Sequence, residues 1–371
     1  MRERHAPAPG GVPMYPARTP APPEPHRVPH GPAPASGQDA APAAAPYPAP
    51  AAEGPPPPAR VRRSRRISAA VAGTVALGAL VTLGAVTGTG GHGPVSPQSP
   101  SLAWPAEGQT SIHVAGLGVR NAPGPRGAQK PVPLASVTKV MTAYVILRDH
   151  PIPPGGTGSR ITVDARAAQE SSLGAESTVA VEAGRRLSER QVLELLLLPS
   201  AGNIARMLAR WDAGTEEAFV AKMNRAAHDL GMANTTYRDS SGIDPATVST
   251  SQDQLKLARK VMRDAAFRSV VAEREAHVPG SPPVHNTNTL LGEDGVIGVK
   301  TGSSSPAGGN LMWAATAPDH DGDDRLAVGV VLHQKPGTGS ENGLRAVLAT
   351  SRSLIASVRH WVATTTPGTT R

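Results

Sequence analysis

The chain has 371 residues, with 39 glycines, 39 prolines, no cysteine and a formal net charge of +8. Without cysteine there is no disulfide, no thiolate nucleophile and no cysteine-held metal, and the glycines lack the three-residue period of a collagen. The excess charge is uneven: residues 1–66 hold nine arginines against Glu3, Glu24, Asp39 and Glu53, so the basic character belongs to a tail and not to a nucleic-acid-binding face.

Residues 1–66 read as a disordered Pro/Ala-rich tail, because such composition cannot bury enough apolar surface to offset the entropy of ordering. Residues 1–60 alone contain 19 of the 39 prolines. Ile67 to Thr87 carries no charged residue and has the length of a membrane-crossing helix. The cluster Arg60, Arg62, Arg63, Arg65 and Arg66 directly before it predicts a single-pass signal anchor, with the tail in the cytoplasm and the rest outside the cell membrane. Residues 88–103 read as a flexible linker, 104–362 as one folded domain and 363–371 as a C-terminal tail.

In the outer domain, Thr110–Leu117 and a short following segment predict strands around a turn. Leu134–Leu147 predicts a helix after Pro133. Ser188 and Gln191 form a capping-box pattern that opens a helix over Glu189–Leu198. Asn203–Trp211, Glu216–Leu230 and Ser251–Met262 also predict helices, the second stopped at Gly231. Thr235–Pro245 reads as a loop. Three apolar runs, Gly295–Thr301, Asn310–Ala317 and Leu326–His333, predict antiparallel strands. The connector Pro318–Arg325 has acidic residues but not the spacing of a calcium-binding loop, and it reads as a solvated hairpin turn. Glu341–Trp361 predicts a final helix. Strands flanking a helical middle predict an α+β fold, an antiparallel sheet packed by helices.

Seven lysines against 30 arginines make each lysine worth inspection. Arginine stays protonated, whereas a desolvated lysine can act as a base. Lys139 follows Ser136 by three positions on a predicted helix, so both share a face among Leu134, Val140, Met141 and Tyr144. A buried amine there could take the Ser136 hydroxyl proton. Lys300-Thr301-Gly302 ends a predicted strand, where a cation and a hydroxyl could bind a carboxylate and Gly302 would allow close approach. Ser200, between two predicted helices, reads as an N-cap, a catalytic hydroxyl, or both.

In this order the three segments resemble the serine D-alanyl-D-alanine carboxypeptidases, the low-molecular-mass penicillin-binding proteins, with their Ser-x-x-Lys, Ser-x-Asn and Lys-Thr-Gly motifs. The segments 134–144 (LASVTKVMTAY), 195–208 (LLLLPSAGNIARML), 240–244 (SSGID), 286–291 (NTNTLL) and 298–302 (GVKTG) carry the likeness from about Trp104 to about His360. The resemblance implies a β-lactamase/transpeptidase-like fold with a helical subdomain, and a penicillin-sensitive carboxypeptidase that trims peptidoglycan stems ending in D-Ala-D-Ala. It implies Ser136 as nucleophile, Lys139 as general base and Ser200 as proton relay. Lys300, Thr301, Gly302 and Ser303 would bind substrate, with the backbone N–H groups of Ser136 and Ser303 as oxyanion hole. It implies no metal or organic cofactor. One position departs: Gly202 stands where the motif has asparagine, and Asn203 follows one place late. Either Asn203 reaches the cleft by a one-residue shift or water fills the gap. A catalytically impaired wall-peptide binder or scaffold is the alternative reading. A β-lactamase is a minor one, since no E-x-x-L-N segment lies between the second and third motifs.

Overall fold

The computed structural model describes residues 101–117, 123–172, 174 and 176–365. The expected tail at 1–66, the anchor at 67–87 and most of the segments 88–103 and 363–371 lie outside the described residues. Among the described residues, no helix is long and apolar enough to cross a membrane.

The elements run β1 (Gln109–Val114), β2 (Val132–Pro133), a 3₁₀ turn (Ala135–Thr138), α1 (Lys139–Asp149), β3 (Arg160–Thr162) and α2 (Ala165–Gln169). They continue with β4 (Arg186–Ser188), α3 (Glu189–Leu197), α4 (Gly202–Ala213), α5 (Glu216–Asp229), β5 (Val248–Ser249), α6 (Ser251–Val261) and α7 (Ala265–Val271). The last are β6 (Glu275–Ala276), β7 (Val284–His285), β8 (Val296–Ser304), β9 (Gly308–Pro318), β10 (Asp324–Gln334) and α8 (Ser340–Thr364).

The main sheet has the order β1-β10-β9-β8, antiparallel throughout, with β8 at one edge. It is covered on both faces. Leu311, Trp313 and Ala315 of β9 and Val331 of β10 pack with Val347, Leu354, Ile355 and Val358 of α8. Their neighbours Met312, Ala314, Val328 and Val330 face the opposite way, into the core of the helical unit. Alternate residues thus enter different cores, which is why these strands read as continuous apolar runs instead of alternating ones. The connector between β9 and β10 is a turn: the Asp319 carboxylate accepts the N–H groups of Asp321 and Asp323, each at 3.0 Å.

The capping box forms as expected, with Ser188 Oγ accepting from Gln191 N and Gln191 Oε1 accepting from Ser188 N. The helix predicted over Leu134–Leu147 divides. Ala135 has φ 46° and the next residues form a 3₁₀ turn, so the α-helix proper begins at Lys139. The short ladders β2–β5, β3–β4 and β6–β7 have two or three residue pairs each, and β2–β5 joins segments more than a hundred residues apart, which local pattern does not reveal.

Candidate active site

The cleft, about 370 Å³, opens where the edge strand β8 meets the helical unit. Its lining includes Ser136, Glu176, Ser200, Thr287, Thr301 and Ser303.

The 3₁₀ turn that carries Ser136 is fastened from two sides. Asn310, buried on β9, donates through Nδ2 to the carbonyls of Pro133 (3.0 Å) and Leu134 (2.8 Å), and its Oδ1 accepts His333 N–H at 2.7 Å. Gly302 of β8 lies against the same turn. A Cβ there would stand 2.8 Å from Val137 N and 3.0 Å from both Ser136 N and Leu134 O. The close approach expected at Gly302 is therefore, first of all, to the chain's own backbone, and any side chain would push β8 off the turn that holds Ser136.

Lys139 begins α1 one turn after Ser136. Its Nζ donates to Ser136 Oγ at 2.9 Å and to the Ser241 carbonyl at 2.8 Å. The side chain is buried, and burial lowers its pKa from 10.5 to about 8. The charges of Glu176 and Asp239 oppose that shift, and Arg206 adds to it. Ser241 is held in place by Asp239, whose Oδ2 accepts Ser241 Oγ (2.8 Å), Gly242 N (2.6 Å) and Ile243 N (2.8 Å). Asp239 Oδ1 accepts the Thr247 hydroxyl at 2.6 Å.

Ser200 lies between α3 and α4 with φ 69°, a conformation that non-glycine residues take at some cost. Its Oγ is buried and has no hydrogen-bond partner among the described residues. The N-cap of α4 is Ala201, so the N-cap reading of Ser200 does not hold. What remains is a strained, unpartnered hydroxyl on the cleft wall.

Lys300 is buried in β8 and is not itself part of the cleft surface. Its Nζ donates to the Thr301 carbonyl at 3.0 Å. Burial first, and then the charge of Lys139, hold its pKa well below the ordinary lysine value. Thr301, Gly302 and Ser303 do line the cleft. The Thr301 hydroxyl is 2.6 Å from that of Thr287, and the Ser303 hydroxyl is 2.7 Å from that of Ser340.

Asn203 is a correction. Its side chain turns away from the cleft into the protein. Oδ1 accepts Val179 N–H at 3.2 Å, and Nδ2 donates to the carbonyls of Val179 (2.9 Å) and Ala167 (3.0 Å). It does not line the cleft, because α4 starts at Gly202 and turns Asn203, about 100° further round the helix, towards Val179 and Ala167. The residues missed from sequence are Glu176, Asp239, Ser241, Thr287 and Asn310. Asp239–Gly242 and Thr287 lie within or beside segments that carried the resemblance, whereas Glu176 and Asn310 gave no signal.

An antiparallel sheet packed by helices is the α+β architecture of the chain's structural neighbours, which have the penicillin-binding/transpeptidase fold. The crystal structure of the Streptomyces K15 DD-transpeptidase matches with a TM-score of 0.58 and 27% identity, over 68% of this chain and 97% of that one. The sequence comparisons agree. The D-alanyl-D-alanine carboxypeptidase of Streptomyces sp. (strain K15) is 30% identical over 271 residues, 68% of this chain and 88% of that protein. D-alanyl-D-alanine carboxypeptidase DacC of Escherichia coli is 31% identical over 206 residues, but those span only 50% of its length. Residues 125–335 match the D-alanyl-D-alanine carboxypeptidase family of the S11 peptidases, and the chain belongs to that family. It is a serine peptidase, a hydrolase of the carboxypeptidase/transpeptidase kind.

Proposed function

We propose that the protein is a serine-type D-Ala-D-Ala carboxypeptidase that shortens peptidoglycan stem peptides through an acyl-enzyme on Ser136. The observation that carries this reading is the 2.9 Å contact of Lys139 Nζ with Ser136 Oγ, made by an amine whose pKa burial brings to about 8. An amine so placed is neutral often enough near pH 7–8 to accept a proton.

The uncharged Lys139 amine takes the Ser136 hydroxyl proton as Oγ attacks the carbonyl carbon of the penultimate D-Ala. The backbone N–H groups of Ser136 and Ser303 stabilise the resulting oxyanion. Collapse breaks the C–N bond, and the proton reaches the departing amine through the unpartnered Ser200 hydroxyl. Water then cleaves the ester and regenerates Ser136. Thr301 receives the terminal carboxylate, with the Lys300 amine beneath it. An arriving carboxylate favours the charged form of Lys300, and that charge in turn favours the neutral form of Lys139. β-Lactams acylate Ser136 by the same attack. The Ile67–Thr87 segment anchors the catalytic domain outside the membrane, where its substrate lies.

Gly202 and the orientation of Asn203 favour a second reading, a wall-peptide binder with impaired chemistry. Intact-mass measurement of the full-length protein after incubation with penicillin separates the two. A single penicilloyl adduct, absent from Ser136→Ala, and D-Ala release from a diacetylated Lys-D-Ala-D-Ala peptide are expected. A folded protein that never acquires the adduct would sink the enzyme reading and leave the binder.

A further inference from the structure

A Cβ built on Gly202 would lie 1.9 Å from Glu176 Oε2 and 2.2 Å from Glu176 Cδ. The volume that a side chain at 202 would fill already holds a carboxylate. That carboxylate is deliberately held. Arg206, one turn after Gly202 on the same face of α4, reaches Glu176 Oε1 through Nη1 at 2.5 Å and Glu170 Oε2 through Nε at 2.7 Å. Glu170 is paired in turn with Arg166 at 2.8 Å. The Gly202 N–H donates to the Ser177 carbonyl at 2.8 Å, fixing the residue after Glu176 to the start of the helix. The helix has no side-chain cap, so its positive end also favours the anion. Glu176 lines the cleft together with Ser136 and Ser200.

We propose that Glu176 replaces the asparagine side chain absent at Gly202, as a positioning residue for Lys139 and for the substrate amide N–H. This rests on the carboxypeptidase reading above. The exchange is not chemically neutral. An asparagine both donates and accepts, whereas a carboxylate only accepts. The carboxylate therefore attracts the Lys139 ammonium and holds the base protonated to higher pH than an amide would. Glu176 is one of four charged groups facing Lys139, the others being Asp239 on the 239–243 loop, Arg206 on α4 and Lys300 on β8.

Penicillin acylation rates and their pH profiles test the assignment in four full-length proteins: wild type, Glu176→Ala, Gly202→Asn and the double variant. Glu176→Ala is expected to slow plateau acylation about 10- to 100-fold. In the Gly202→Asn background the same change is expected to cost nothing further, because asparagine and glutamate compete for one space. Glu176→Gln is expected to move the acid limb of the profile to lower pH. Equal effects of Glu176→Ala in both backgrounds, or an unmoved acid limb, would overturn the proposal. Wild-type acylation reads the carboxypeptidase proposal by itself. If the wild type is inert, the role of Glu176 is still decided by the Lys139 titration, followed by NMR of ¹⁵N-lysine protein, which has seven lysines. A lower midpoint in Glu176→Gln supports the proposal, and an unchanged one refutes it.

Discussion

Asn203 and Val179 are joined by a reciprocal pair of hydrogen bonds: Oδ1 accepts the Val179 N–H at 3.2 Å and Nδ2 donates to the Val179 carbonyl at 2.9 Å. The side chain acts as a piece of β-ladder that fastens the strap 176–181 to α4. Asn203→Ala would leave the buried N–H and carbonyl of Val179 unpaired, while the Ala167 carbonyl keeps the Ser171 hydroxyl at 3.2 Å, at a cost of about 2–4 kcal/mol. A fall of several degrees in the melting temperature is expected, and part of any loss in acylation should return at lower temperature. A melting temperature within a degree of wild type would show that this strap contributes little.

Ser200→Ala should behave in the opposite way. The hydroxyl has no partner among the described residues, so removing it leaves no group behind, and the strained backbone at φ 69° is unchanged. Stability is expected to stay within about 0.5 kcal/mol of wild type. D-Ala release is expected to fall on the order of 100-fold, the scale of losing one transition-state contact. Ser200→Gly separates strain from chemistry: it should lose as much activity and gain roughly 0.5–1 kcal/mol of stability from the relieved φ. Thermal denaturation and peptide assays on both variants check this.

The parts of the molecule legible in the sequence are those set by neighbours close along the chain. The capping box at Ser188, the strands buried on both faces and the Ser136–Lys139 pair each follow from spacings of a few residues. The illegible parts are contacts closed over long separations. Asn310 reaches back 176 residues to hold the Leu134 carbonyl, and Glu176 fills the space beside Gly202 from a segment with no element of its own. The position of Asn203 was ambiguous because sequence gives order along the chain but not the rotation of a helix start, and the first residue of α4 falls at Gly202. The 3₁₀ turn before α1, with Ala135 at φ 46°, is hidden for a related reason: the groups packed against it, Asn310, Gly302 and Gly242, come from segments more than a hundred residues further along the chain.

Asp239 does for the Ser241 carbonyl what Asn310 does for the nucleophile turn. Its two carboxylate oxygens accept from Ser241, Gly242, Ile243 and Thr247, and the loop so closed presents the carbonyl to Lys139. Asp239→Ala is expected to lower both stability and acylation, by about 3 kcal/mol and at least 10-fold respectively. Asp239→Asn can keep an oxygen toward Ser241, Gly242 and Ile243, but it removes the charge and turns an amide donor to the Thr247 hydroxyl, which already accepts the N–H groups of Arg238 and Asp239, so it should recover only part of each loss. Urea denaturation together with acylation rates would settle the matter; an Asp239→Asn protein with wild-type values in both would remove Asp239 from this role.

Lys139 is the group whose charge links catalysis to stability. Its pKa is lowered from 10.5 to about 8 chiefly by burial, so the fraction of neutral base grows with pH up to and through 8. The acylation rate should therefore climb about tenfold per unit below that point and level off above it. A rate independent of pH between 6 and 9 would exclude Lys139 as the titrating base. The same shift fixes a stability effect of defined sign. Below pH 8 the amine is charged in both the folded and unfolded chain, and the folded chain bears the whole cost of burying it. Between pH 8 and 10.5 the unfolded chain holds a proton that the folded chain has released, so this group's contribution to stability rises with pH. The shift corresponds to about 3 kcal/mol, from which the loss of the hydrogen bonds to Ser241 and Ser136 must be subtracted. Lys139→Met is therefore expected to be inactive and, at pH 7, about 1 kcal/mol more stable than wild type, with the advantage shrinking as pH approaches 10. Denaturant unfolding of both proteins at pH 7 and 9.5 measures this. A Lys139→Met protein that is less stable at both values would mean that the two hydrogen bonds outweigh the burial cost.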